Sequence, residues 1–262
     1  MFWFIFIASI YLTILVLVSV FRQKAAPAER RVALVIGNAA YKWTTPLNNP
    51  GKDAADMAEA LSRLGYDVVE RHDLGVAQMR EVLGQFKERA RAADWALVYY
   101  AGHGSEWNGE NWLIPVDAKS PYAVDLPREA VSAEQILRHL SEARKLRIVI
   151  LDACRVYPLR TRMMMNEGLF RVITYGLARM TPAFGEIVFF AARHGTTASD
   201  GKKGENSPFA KALLKHMGEE GLELGRFFRK VTSSVLAATN NAQEPHVYGR
   251  IPDEDFYFKP RA

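Results

Sequence analysis

The sequence predicts an α/β fold in which a mainly parallel sheet is covered by helices on both faces. Three observations carry that reading. Short apolar runs alternate along the chain with segments of helical periodicity. Most of those runs are continuously apolar, the pattern of strands buried on both faces. Turn or cap residues mark several of the changes from one to the other. A chain of 262 residues can bury a substantial core. With 49% hydrophobic and 24% charged residues and no repeat or low-complexity tract, disorder and solenoids are disfavoured.

Taken in order, Val32 to Asn38 (VALVIGN), Tyr66 to Glu70 (YDVVE), Trp95 to Ala101 (WALVYYA), Arg147 to Ala153 (RIVILDA) and Glu186 to Ala192 (EIVFFAA) read as strands. Asp255 to Phe258 is a candidate sixth. The helical segments lie between them. Pro50 to Leu64 follows Asn49, a cap residue ahead of a first-turn proline, and stops at Gly65. Val76 to Ala93, Ala133 to Ala143, Pro208 to Met217 (capped by Ser207) and Leu222 to Ala238 complete the set. Strand and helix alternation of this kind builds a parallel sheet, and ligands bind beyond the carboxyl ends of its strands. The stretch from Val156 to Ala183, with Met163, Met164, Met165 and four arginines, fits no element and reads as a long excursion.

Residues 1–21, MFWFIFIASIYLTILVLVSVF, carry no charge. At about 1.5 Å per residue such a helix covers ~31 Å, the thickness of a bilayer core. A single-pass anchor is therefore predicted, followed by a tether over 22–30. Arg22, Lys24, Arg30 and Arg31 all lie on the C-terminal flank, so the positive-inside tendency keeps the following domain in the cytoplasm. The alternative is a cleaved signal peptide and export, which the small residues of KAAPAE favour and the missing basic n-region opposes.

The net charge of +5 comes from Lys and Arg scattered among acids, so no nucleic-acid partner is expected. A single cysteine, Cys154, excludes an intramolecular disulfide and a zinc site built on several thiolates. No stretch reads as a calcium loop, and neither a metal nor a cofactor is predicted.

Two strands bring reactive residues to one rim: YYAGHG places His103 after the third strand, and VILDACR places Cys154 after the fourth. A thiol attacks only as thiolate, and an adjacent imidazole can take its proton and later deliver it to a leaving amine. The glycines flanking His103 would let substrate backbone approach, and the N–H groups of Gly104 and Cys154 could bind an oxyanion. A lone cysteine at the end of a buried strand is more often a small core residue than a nucleophile. FFAARHG also places His194 after a strand, and spacing alone does not choose between the two histidines. Asp152 should share a strand face with Cys154. A carboxylate there raises a thiol pKa, which makes sense if a substrate guanidinium or ammonium neutralises it; otherwise Asp152 caps a turn.

These segments resemble the caspase-like (clan CD, C14-type) cysteine peptidases, in particular the bacterial members, the paracaspases and the metacaspases. The likeness runs from RVALVIGNAAYKWTTPLNNPGKDAADMAEALSRLGYDV through YYAGHG and LDACR to GENSPFAKALLKHM and EPHVYGRIPDEDFYF. It implies a three-layer caspase-like sandwich over 31–258, with a large-subunit-like part (31–155), a linker (156–183) and a small-subunit-like part (184–258). It implies a catalytic dyad of His103 and Cys154, and it demotes His194. Caspases with Gln at the position of Asp152 cleave after Asp; relatives with Asp there cleave after Arg or Lys. The paracaspase pocket carries a further acid matching Asp53 and a third after the fifth strand. In AARHGTTASDG the equivalent point lies near Thr197, with Asp200 close by as the candidate.

The expected function is a membrane-anchored cysteine endopeptidase that hydrolyses protein or peptide substrates after Arg or Lys through an acyl-enzyme. A homodimer is compatible with it. Arg193 and His194 would form a wall of the binding site, with Arg193 competing for the acids. Arg160, Arg162, Arg171 and Arg179 would suit self-cleavage of the linker. The alternative is a latent or inactive caspase-like scaffold at the membrane.

Overall fold

The structure is a computed structural model that describes residues 29–119, 125–154, 177–193 and 198–261, with Cys154 described by its backbone alone. The predicted anchor, nearly all of the tether, most of the linker, His194 and Thr197 lie outside the described residues. Among the described residues no helix is long and apolar enough to cross a membrane.

The strands are β1 (Arg31–Gly37), β2 (Asp67–His72), β3 (Trp95–Trp107), β4 (Glu110–Leu113), β5 (Val131–Ser132), β6 (Leu146–Cys154), β7 (Glu186–Phe190) and β8 (His246–Gly249). The helices are α1 (Pro50–Arg63), α2 (Val76–Arg91), α3 (Leu126–Glu129), α4 (Ala133–Leu140), α5 (Pro208–Met217) and α6 (Leu224–Ala238). The main sheet runs β2-β1-β3-β6-β7-β8 and is parallel except for the antiparallel edge strand β8. The chain leaves β1 toward β2 and returns to β3 on the other side of β1. The strand order therefore switches between β1 and β3, where α/β sheets open a crevice beyond their carboxyl ends.

The buried strands send successive side chains to opposite faces, and each face has its own core. Ala33, Val35, Leu97, Tyr99, Ile148 and Ile150 pack with α1, α5 and α6. Val32, Leu34, Val98, Tyr100, Val149 and Leu151 pack with α2 and α4. This is the three-layer arrangement that the apolar runs predict. Asp152 follows Ile148 and Ile150 by the same alternation, so it belongs to the face covered by α1 and α5.

Three local expectations change. The Asp255 to Phe258 run is not a strand; the sixth strand of the main sheet is His246–Gly249. Phe256 and Phe258 are buried against Trp95, while the Arg31 guanidinium donates to the carbonyls of Tyr257 and Phe258, so these backbone acceptors bind a side chain instead of a ladder. Asn49 makes no side-chain cap to α1. Its amide turns away to a distant loop, as described below. Of the linker, Leu177, Ala178 and Met180 are buried, and the Asn111 side chain brackets Ala178 through both its N–H (2.5 Å) and its carbonyl (3.1 Å). The end of the linker thus belongs to the core. Ser207 caps α5 as predicted, accepting from the Ala210 N–H at 2.9 Å.

Phe189 is fully buried between Phe209 and Phe228, with ring centroids at 4.9 and 4.8 Å, so it couples β7 to both α5 and α6. Phe189→Ala is expected to cost about 3–5 kcal/mol of folding stability; urea denaturation of the two proteins measures it, and a loss below about 1 kcal/mol would refute this packing role.

Candidate active site

The site begins with strand register. Nine consecutive residues of β3 pair in parallel with β6, from Trp95 with Leu146 to His103 with Cys154. The backbones of His103 and Cys154 therefore lie side by side, about 4.8 Å apart as adjacent strands do. The rim predicted from the two motifs is formed. The strand does not end at Gly102-His103-Gly104, however. It continues to Trp107 and folds back as the β3–β4 hairpin, with Gly104 opposite Leu113.

Gly102 has a structural cause other than substrate approach. Its φ is +156°, and a Cβ there would lie 2.6 Å from Tyr41 Oη and 2.7 Å from Tyr100 Oη. Two phenol hydroxyls fill the space that a side chain would need. Gly104 is tight against the neighbouring strand, where a Cβ would stand 3.0 Å from that of Ala153. The His103 carbonyl accepts from the Ile114 N–H at 3.0 Å, which makes 103/114 a hydrogen-bonded position. At the next position, 104/113, backbone N–H groups point away from the partner strand. The Gly104 N–H is thereby turned from β4 toward the β6 side.

His103 is buried, and its Nε2 lies 2.8 Å from the Thr45 carbonyl. A carbonyl only accepts, so Nε2 carries the proton and Nδ1 is the basic nitrogen of the neutral ring. Thr45 sits in the loop after β1, which is pinned at several points. Asp73 Oδ1 accepts from the N–H groups of Ala39 and Ala40, each at 2.8 Å. Buried Asn38 bridges Leu74 and the Ile114 carbonyl. The imidazole orientation is therefore set by a loop some 60 residues away in sequence.

The three predicted acids come together. Asp53, in the first turn of α1, is 1% exposed; its Oδ1 accepts from Asn206 Nδ2 and the Ser207 N–H, both at 3.0 Å. Asp152 is 5% exposed; its Oδ2 accepts from Ser207 Oγ at 2.5 Å and Tyr99 Oη at 3.3 Å. Ser207 thus holds both carboxylates, through its backbone to one and its hydroxyl to the other. In each acid one oxygen is used, while the other has no hydrogen-bond partner among the described residues. Asp200 Oδ2 accepts from the Asn48 N–H at 3.3 Å. Its loop is tied to Asn49, which donates to the carbonyls of Asp200 and Lys202 and accepts from the Gly204 N–H.

None of the three acids forms an ion pair among the described residues. Burial pushes Asp53 up to about 6, with the Asp200 charge adding to the effect. Burial also pushes Asp152 up, to about 8, and the Asp53 charge adds to it. Asp200 is raised as well, mainly by desolvation. A helix N-terminus favours Asp53 as an anion, but here burial and like charge outweigh it. Such an arrangement favours a cation able to meet the two open carboxylate oxygens. Arg193 does not occupy that place: its Nη1 lies 3.5 Å from Glu244.

Sequence reasoning missed Tyr41, Thr45, Asn49, Tyr99 and Asn206, and it read Ser207 only as a cap. Their side chains or carbonyls act across 50 residues or more, without a local spacing to reveal them. The one local signal was Asn49, whose type suggested a cap and whose amide serves a loop instead.

Comparison with known proteins agrees with this fold. The caspase-domain model of the C14 peptidases matches residues 30–257. The chain belongs to that family of cysteine peptidases. It is similar to mucosa-associated lymphoid tissue lymphoma translocation protein 1 from Homo sapiens, 33% identical over 129 residues, and to its Mus musculus homolog, 34% identical over 130. Each match spans 49% of this chain and 15% of the relative.

The raised acids make a pH prediction. Between the ordinary carboxylate range near 4 and about 8, native Asp152 holds a proton that the unfolded chain has lost, so stability falls as pH rises through that window. Asp152→Asn has no such proton to lose. Its stability relative to wild type should grow by about 1–3 kcal/mol from pH 5 to pH 9, read from denaturant midpoints. A flat difference would mean that Asp152 ionises normally in the fold.

Proposed function

We propose that the protein is a cysteine endopeptidase that hydrolyses peptide bonds after Arg or Lys. The observation that carries it is the pairing of His103 with Cys154 across β3 and β6, beside a buried pair of half-satisfied carboxylates, Asp53 and Asp152. His103 Nδ1 takes the Cys154 proton, and the thiolate attacks the scissile carbonyl carbon. Negative charge moves to the carbonyl oxygen, which the N–H groups of Gly104 and Cys154 bind. Collapse breaks the C–N bond, and the imidazolium protonates the leaving amine. Water, deprotonated by the same imidazole, then hydrolyses the thioester and restores the thiol.

Asp53 and Asp152 bind the guanidinium or ammonium through their open oxygens, with Asp200 adding charge at the rim. Ser207 and Asn206 aim the first two. Cation binding draws both acids to the anionic form, so it releases protons below about pH 8. Residues 1–21 anchor the domain at the cytoplasmic side of a membrane, an arrangement supported by the basic flank; protease accessibility in intact cells distinguishes it from export.

The test uses the full chain and fluorogenic peptides ending in Arg, Lys or Asp. Turnover is expected after Arg or Lys and is expected to vanish in Cys154→Ala and His103→Ala. Asp152→Asn should lower kcat/KM for Arg peptides by about 100-fold or more, a loss of ~3 kcal/mol typical of a desolvated charge pair. Cleavage after Asp would overturn the pocket assignment, and turnover that survives Cys154→Ala would overturn the nucleophile.

A further inference from the structure

We infer that Tyr41 is a positioning residue for His103, acting as a hydroxyl wedge in the β3–β4 ladder; this rests on the reading of His103 as the base. In a regular antiparallel ladder the residues at a hydrogen-bonded position exchange both N–H···O bonds. At 103/114 only one is made directly, from the Ile114 N–H to the His103 carbonyl at 3.0 Å. On the other side the His103 N–H donates to Tyr41 Oη at 2.7 Å, and Tyr41 Oη donates to the Ile114 carbonyl at 3.2 Å. A phenol hydroxyl has been inserted where the second bond would lie.

The same residue touches the imidazole itself, its ring centroid 4.3 Å from that of His103. A second hydroxyl supports the first: Tyr100 Oη lies 3.2 Å from Tyr41 Oη and shares its proton between the carbonyls of His103 at 2.8 Å and Ile114 at 3.0 Å, while among the described residues the His103 N–H is left to Tyr41 alone. Both phenols are buried, so the wedge is built into the core and not exposed to exchange with water. Gly102 accommodates it, because a Cβ would collide with both hydroxyls. Tyr41 and Thr45 belong to one loop, which therefore fixes His103 by its backbone N–H, its ring face and its Nε2.

Removing the hydroxyl leaves the His103 N–H to close on Ile114 or remain buried without a partner. Either outcome shifts the imidazole relative to β6, and a displacement near 1 Å at a reacting group costs on the order of 100-fold in rate. Substrate pocket residues are untouched by it. The effect should therefore fall on kcat and on thiol activation, not on KM.

The experiment compares wild type, Tyr41→Phe, Tyr100→Phe and His103→Ala as full chains. It reads kcat and KM on an Arg peptide, the pH profile of Cys154 alkylation by iodoacetamide, and thermal melting. Tyr41→Phe is expected to lower kcat by about 10–100-fold with KM within about 3-fold. Its alkylation profile should move toward that of His103→Ala, and Tyr100→Phe, which keeps the wedge, should move less. If Tyr41→Phe does not fold, 3,5-difluorotyrosine at position 41 keeps the shape and weakens the hydroxyl as an acceptor; the same shift is then expected at smaller size. A folded variant with the wild-type alkylation profile and kcat would overturn the wedge, whatever its melting temperature. If His103→Ala itself leaves the profile unchanged, it is the assignment of His103 as base that fails.

Discussion

The parallel pairing of β3 with β6 is the constraint on which the rest of the site depends. Nine residue pairs run from Trp95/Leu146 to His103/Cys154, and the apolar members among them are buried in the two cores. A slip of one residue would send every side chain of a strand to the opposite face, exchanging the residues that pack on α1 and α5 with those that pack on α2 and α4. Burial on both faces therefore fixes the register, and register brings the backbones of a histidine and a cysteine 51 positions apart into adjacency. The chemistry inherits its geometry from hydrophobic packing.

At the same rim the fold tolerates an electrostatic cost. Asp53 and Asp152 are both buried and raised by that burial, the Asp53 charge raising Asp152 further, and both are held by neutral donors instead of cations. Neutral donors satisfy one oxygen of each acid and supply no countercharge to its anionic form, which is why burial raises both. A cationic side chain of the chain itself would relieve the cost and also cover the two open carboxylate oxygens. Asn206 and Ser207 stabilise the acids without occupying that place, and the N-terminus of α5 gives Ser207 its fixed position.

The histidine side of the rim uses loops where the acid side uses a helix end. The segment after β1 turns back over the sheet, secured by Asn38 and Asp73, and delivers the Thr45 carbonyl and the Tyr41 hydroxyl to His103. Asn49, at the end of that same segment, secures the loop that bears Asp200. One connection thus serves both the imidazole and the acids, at the switch point where β1 and β3 part.

Much of the layered fold was legible because it rests on local pattern. Continuous apolar runs marked the four buried strands β1, β3, β6 and β7, a shorter run marked the edge strand β2, and Ser207-Pro208 marked the start of α5 to the residue. The edge strand β8 was not legible: His246–Gly249 is short and largely exposed, and its pairing is decided by β7. The apolar alternation at Phe256 and Phe258 was real, yet a guanidinium from β1 bound the carbonyls that a strand would have paired. The sequence by itself determined the identity of the chemical groups, the two motifs that carry His103 and Cys154, and the acid at Asp152, since these follow from residue type and short spacing. Only the tertiary structure decided that Ser207 joins Asp53 to Asp152, that Thr45 fixes the imidazole proton and that Tyr41 enters the ladder. Those contacts close over 55 to 154 residues, where no periodicity reaches and only packing selects the partner.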